Sequence, residues 1–298
     1  MLGNESLRER IRSLVRARRA AGKTAAAGAG GAPERGSATE PAGHDGRPAR
    51  HGLGAPRAPD RVEIAVGVEE FLPGGEWRDE RGTVYVHERL RSSLERRKPH
   101  WGRLEAPPSA ETEIAALARA GLERALFLDL ETCGLSASPV FLAGTMHWNG
   151  SDFVLRQYFA RHYGEEATLL AALHEASRAV DFLVTFNGKS YDAPFLRNRA
   201  LLHGVRLMLP PCHVDLLHTA RRRWGGELRD CRLQTLERHL CRQWRSGDVP
   251  SDEIPGLYHD FVRHGDPYRL LPVFHHNLLD VITMSEILRA VCGRDRGR

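Results

Sequence analysis

The sequence holds no apolar run long enough to cross a bilayer, and its first residues lack the charged, then apolar, then cleavable order of a secretory signal. Both absences make the cytoplasm the expected location and give no reason to expect a membrane partner. Cysteine is scarce: Cys133, Cys212, Cys231, Cys241 and Cys292 are scattered and form no CxxC pair. That argues against a disulfide framework or a zinc knuckle and leaves reduced thiols. No internal repeat is found. The body of the chain also lacks a charge excess, because residues 61–298 hold 32 Lys or Arg and 32 Asp or Glu. The formal charge of +5 therefore sits wholly in residues 1–60. A basic tail raises encounter with nucleic acid or an anionic surface without specifying a fold.

What is present divides the 298 residues into three parts. In residues 1–60, "ESLRERIRSLVRARRA" puts Leu7, Ile11, Leu14 and Val15 on one face of a short basic helix, a pattern that suits a solvated helix or a partner contact better than a membrane. The Ala-, Gly- and Pro-rich stretch after it cannot repay its ordering entropy and is expected to be a disordered linker. Residues 61–110 predict a small β-rich appendage, with "RVEIAVGVEEFLPGGEW" and "GTVYVHERL" as strands around a Gly-rich turn. Residues 120–293 predict the main α/β domain. Three apolar runs, "ALFLDLE", "PVFLAGTMHW" and "DFVLRQYFA", read as hairpin-connected strands, and a helix over 165–180 leads to a fourth strand, "FLVTFNG". Such a helix is long enough for a crossover into a parallel position, so the sheet is expected to be mixed. The remainder, 192–292, reads as mainly helical with breaks at "PPCH", "WGGE" and "SGDVPSDEIPG".

Two acids end the first of these strands. Residues i and i+2 of a strand share a face, so Asp129 and Glu131 project together, opposite Leu128 and Leu130. An ionised carboxylate in so apolar a run needs a partner. Asp192 follows the fourth strand in "TFNGKSYDAPFL"; alone it would read as a helix cap, worth about 0.5–2 kcal/mol. Asp280 stands inside the apolar helix "VFHHNLLDVITMSEIL", with His276 four residues earlier on nearly the same face and His275 rotated away. Gathered together, the four acids would repel one another unless divalent cations neutralised them. Two such ions, about 3.5–4 Å apart, are the usual arrangement for in-line attack on a phosphodiester, and a nearby histidine suits a general base.

These residues resemble the DEDD exonucleases of the ribonuclease H-like fold, and among them the YprB-like domains. "FLDLETCGL" looks like the first motif, "VTFNGKSYDAPFL" the second and "HHNLLD" the third; the similarity extends over roughly 62–292. The resemblance implies a ribonuclease H-like mixed sheet flanked by helices and a 3′-to-5′ exonuclease acting on single-stranded ends. Asp129, Glu131, Asp192 and Asp280 would hold two Mg²⁺ or Mn²⁺ ions. Cys133 stands where many relatives carry Thr, a change that leaves the carboxylates intact. The histidine-type members place their base five residues before the last Asp, which selects His275; the His-Asn pattern of the YprB-like group, like helix geometry, selects His276.

Expected partners are single-stranded RNA or DNA, and nothing in the sequence calls for an obligate protein partner. Residues 218–245 carry eight arginines against Glu227, Asp230 and Glu237. Arg221 and Arg222 suit phosphate contacts, and Trp224 or Trp244 could stack on a base. The alternative is a solvated helix face with its aromatics turned into the core. Asn187 and Lys189, beside the second motif, are further candidate strand contacts, with turn formation the plainer role for Asn187. A nucleic-acid-binding module without turnover and a ribonuclease H- or resolvase-like endonuclease remain open beside the exonuclease.

Overall fold

The computed structural model describes residues 67–94, 104–135, 138–242, 245 and 247–293. The basic helix, the linker, the first residues of the β-rich segment and Trp244 lie outside them. Seven strands form one sheet: β1 (Gly74–Asp79), β2 (Gly82–Leu90), β3 (Ala125–Thr132), β4 (Val140–Trp148), β5 (Phe153–Phe159), β6 (Phe182–Thr185) and β7 (Cys212–Asp215). Their spatial order is β1-β2-β5-β4-β3-β6-β7. The pairs up to β3 are antiparallel, whereas β3–β6 and β6–β7 are parallel, which is the mixed sheet expected. Helices flank it: α1 (Thr112–Ala120), α2 (Glu166–Arg178), α3 (Asp192–Leu202), α4 (Leu216–Trp224), the single turn α5 (Leu233–Leu236), α6 (Ile254–His264) and α7 (Leu271–Cys292).

Three expectations need correction. The first expected strand is shorter than drawn: Val68–Glu70 is a 3₁₀ turn, and extended pairing begins at Gly74. The hairpin β1–β2 is also not an appendage, because β2 pairs with β5 from Tyr85↔Phe159 to Leu90↔Val154 and continues the central sheet. Finally, "PPCH" is not simply a break. Past the two prolines, which cannot donate to a ladder, Cys212–Asp215 adds a seventh strand in register with β6.

Alternation along β3 explains where the site forms. Leu128 and Leu130 face a core built with Leu169, Leu173 and Leu196 of α2 and α3. Ala125 and Phe127 face the opposite core, which contains Leu278, Val281, Met284 and Ile287 of α7. Asp129 and Glu131 continue that second face, so the side of β3 covered by α7 changes from apolar to acidic toward the strand's end. α7 stays on the sheet beyond the change because the residues preceding the acids anchor it.

Candidate active site

Four acids from three elements converge at this end of the sheet. Glu131 and Asp192 are buried, and the Asp280 side chain is mostly so. Burial first, then the charges of Asp280, Glu131 and Asp192, push the Asp129 carboxyl well above its ordinary range. Glu131 rises to about 8, chiefly through burial; His276 opposes the shift, and Asp280, Asp192 and Asp248 add to it. Asp192 rises to about 7 through burial and the charge of Asp215. Burial also raises Asp280 against the pull of Arg245 and His276. Each acid thus carries a cost that a bound cation would relieve.

Asp192 is the first residue of α3 rather than its N-cap; that position falls to Tyr191, which makes no side-chain capping bond. The carboxylate lies over Gly188, where an added Cβ would come within 2.7 Å of Asp192 Oδ2 and 2.3 Å of Thr185 Oγ1. The loop holding Gly188 is braced by Asp215, which sequence reasoning missed. Its two oxygens accept from the backbone N–H of Asn187 (2.9 Å) and Lys189 (3.0 Å), and Oδ1 also caps α4 at Leu217 (3.1 Å). A signal was present: an Asp ending a short run just before a helix is a capping position. Asn187 has φ 68°, so it serves the turn.

Asn277, fully buried, was also missed. It donates to Asp129 Oδ2 at 2.8 Å, and its own Oδ1 accepts from Gln157 Nε2 at 3.0 Å. Opposite Asp129 on β4 stands Gly144, where a Cβ would come within 2.2 Å of Asn277 Oδ1. A glycine inside an otherwise apolar strand was the available clue to this close approach.

Of the two histidines, His276 faces the acids. Its Nε2 lies 3.5 Å from Asp280 Oδ2, and its Nδ1 lies 2.9 Å from Asp248 Oδ1. Burial depresses the imidazole, but the bond to Asp248 and the charges of Asp280 and Glu131 outweigh it and raise the pKa overall. His275 is half-buried on the same helix.

The arginines do not form one face. Trp224 is buried in the core, so it offers no stacking surface, and Arg223 donates to the Val291 carbonyl at 2.9 Å. Arg221 and Arg222 are exposed on α4, and Arg222 pairs with Glu111. Lys189 Nζ lies 3.4 Å from Glu113, and both Lys189 and Arg222 line a cavity of about 360 Å³ between α1 and β7. Arg245 turns inward with its side chain 5% exposed, and its Nη2 contacts Asp280 Oδ1 at 2.6 Å.

Four carboxylates make an all-oxygen donor set, the ligand chemistry of hard divalent cations, and their mutual repulsion fits such an ion. Among the described residues, however, no three acidic, histidine or cysteine side chains close around a common point. Asp280 instead contacts Arg245, and Asp129 accepts from Asn277. Also among the described residues, no helix is long and apolar enough to cross a membrane.

Residues 126–292 match the family model of the RNase H superfamily. Over 167 residues the chain is 34% identical to the uncharacterized protein YprB of Bacillus subtilis (strain 168); the match covers 54% of this chain and 40% of that protein. A solved family B DNA polymerase from the archaeon Pyrobaculum calidifontis aligns over 56% of this chain and 24% of its own, with 16% identity and a TM-score of 0.46.

Proposed function

Because the chain belongs to the RNase H superfamily, we propose that it is a nuclease that hydrolyses phosphodiester bonds of single-stranded RNA or DNA from the 3′ end. Asp129, Glu131, Asp192 and Asp280 would hold two Mg²⁺ or Mn²⁺ ions. What supports the reading is the convergence of four carboxylates, near enough that Asp280, Glu131 and Asp192 each raise the pKa of Asp129. Bound there, such ions would supply charge stabilisation for the phosphate and would acidify the attacking water.

The chain's own groups do the rest. His276 donates from Nδ1 to Asp248, so the neutral imidazole carries its lone pair on Nε2, 3.5 Å from Asp280 Oδ2, where it takes the proton of water on the acidic side of the site. Asn277 fixes the Asp129 carboxylate by its 2.8 Å bond. Lys189 and Arg222 meet strand phosphates in exchange for their pairs with Glu113 and Glu111.

The contact between Arg245 and Asp280 favours a second reading, a nucleic-acid-binding module without turnover, since a guanidinium already neutralises one acid. Labelled linear and circular strands of RNA and DNA, incubated with Mg²⁺, Mn²⁺ or chelator, separate the two. The nuclease reading expects ion-dependent release of mononucleotides from linear strands by the parent. It expects binding without release by Asp129→Ala and an uncut circle. Cutting of the circle would make the protein an endonuclease, and release undiminished in Asp129→Ala would overturn the reading.

A further inference from the structure

Arg245 is bound by three acids at once. Its Nε lies 2.5 Å from Glu237, its Nη1 3.3 Å from Asp248 and its Nη2 2.6 Å from Asp280. Its side chain is almost closed off from solvent, as are those of Glu237 and Asp248. Of the three partners, only Asp280 belongs to the four-carboxylate cluster. Glu237 is supplied by the π-helical turn Glu237–Cys241, and Asp248 lies on the segment leading to α6.

We propose that Arg245 is a resident cation that competes with a divalent ion for Asp280, holding that carboxylate until the ion takes it over. The inference rests on the metal-dependent reading of the acid cluster.

Charge balance and geometry make the exchange feasible. Without ions, the guanidinium offsets part of the like-charge repulsion around Asp280. When two dications bring four positive charges to Asp129, Glu131, Asp192 and Asp280, Arg245 becomes surplus there. It does not have to leave the interior, because Glu237 and Asp248 remain as partners through Nε and Nη1, and only the Nη2 contact is given up. The guanidinium fork suits this task, since its separate N–H groups address different carboxylates and one can be released while the others hold. His276 joins the same exchange: it touches Asp248 through Nδ1 and Asp280 through Nε2, so freeing Asp280 from Arg245 also alters what the imidazole faces. The apparent affinity for an ion is reduced by the fraction of molecules in which the competing pair is closed.

Calorimetric titration of the full chain with Mn²⁺ tests the competition without reference to turnover. Arg245→Met removes the guanidinium. Arg245→Lys keeps a charge that cannot span three carboxylates and guards against a fold lost in the first variant; circular dichroism establishes the fold of each. If the pair is closed in nine of ten molecules, the folded variants bind Mn²⁺ about tenfold more tightly than the parent. Glu237→Gln, which leaves Arg245 fewer alternatives to Asp280, weakens binding instead. Mn²⁺ bound through Asp280, as shown by its loss in Asp280→Asn, but no more tightly in either arginine variant, would overturn the competition alone. Equal Mn²⁺ binding by the parent and Asp280→Asn would overturn both the metal reading and this inference.

Discussion

Asn277 on α7 donates to Asp129 Oδ2 on β3 at 2.8 Å, and the absence of a side chain at Gly144 on β4 makes the approach possible. The amide is held on its other side by Gln157, which donates to Asn277 Oδ1 at 3.0 Å and to the Phe274 carbonyl at 2.8 Å. The acid is thus oriented by a chain of buried hydrogen bonds spanning two strands and a helix.

Gly144→Ala therefore acts on Asp129 through Asn277. Overpacking of this kind costs about 1–3 kcal/mol, and misplacing a reacting group by about 1 Å costs on the order of 10²-fold in rate. Urea unfolding and nucleotide release measure the two effects. Asn277→Ala, which removes the donor without the clash, should lower the rate with a smaller structural disturbance.

The raised carboxylates set a pH dependence for the metal-free protein. Glu131 moves from an ordinary 4.5 to about 8 and Asp192 from 3.8 to about 7, so between those limits the folded chain binds more protons than the unfolded one. Stability from these groups is therefore fully present below their ordinary pKa values and is lost as pH rises from about 4 toward 8. Melting temperatures recorded across that range in chelator should fall, and Glu131→Gln with Asp192→Asn should flatten the slope. Mn²⁺ should restore stability most at the alkaline end.

Glu166 is buried on α2 among basic and backbone partners. Its Oε1 accepts from Arg199 Nε at 2.7 Å and from the Val140 backbone N–H at 2.8 Å, and Oε2 meets Arg199 Nη2 and His203. Removing one member of a buried pair costs about 3–5 kcal/mol. Glu166→Ala should show that loss in denaturant unfolding and leave the acid cluster's Mn²⁺ affinity unchanged in whatever fraction remains folded.

The pairs Lys189–Glu113 and Arg222–Glu111 predict opposite effects on strand binding. Lys189→Gln and Arg222→Gln should weaken binding and lower the slope of log K against log salt by about 0.7 each. Glu111→Gln together with Glu113→Gln should tighten it. Filter binding across a salt series distinguishes the two.

How much of this was legible in the sequence depended on whether the signal lay within one element. The period-two placement of Asp129 and Glu131 and the i, i+4 relation of His276 to Asp280 are local, and each appears in the structure as drawn. Asn277 and Asp248 act by reaching across elements, and nothing in their immediate neighbours marks that reach; Gly144 stands out within its apolar strand, but its neighbours do not say which side chain it admits. In the sequence Arg245 belongs to an arginine-rich cluster and nothing local sets it apart; in the structure three acids from different segments turn it inward. β7 escaped notice because four residues behind two prolines carry too little periodicity to separate a strand from a loop. The hairpin β1–β2 was visible, but its pairing with β5 is a long-range contact.

The most direct test of the central claim is a crystal structure of the chain grown with Mn²⁺, with the ions located by anomalous scattering. The account predicts two peaks bounded by Asp129, Glu131, Asp192 and Asp280, with Arg245 withdrawn from Asp280 onto Glu237 and Asp248. No peak among the four acids at saturating Mn²⁺, with the Arg245 contact to Asp280 intact, would contradict it.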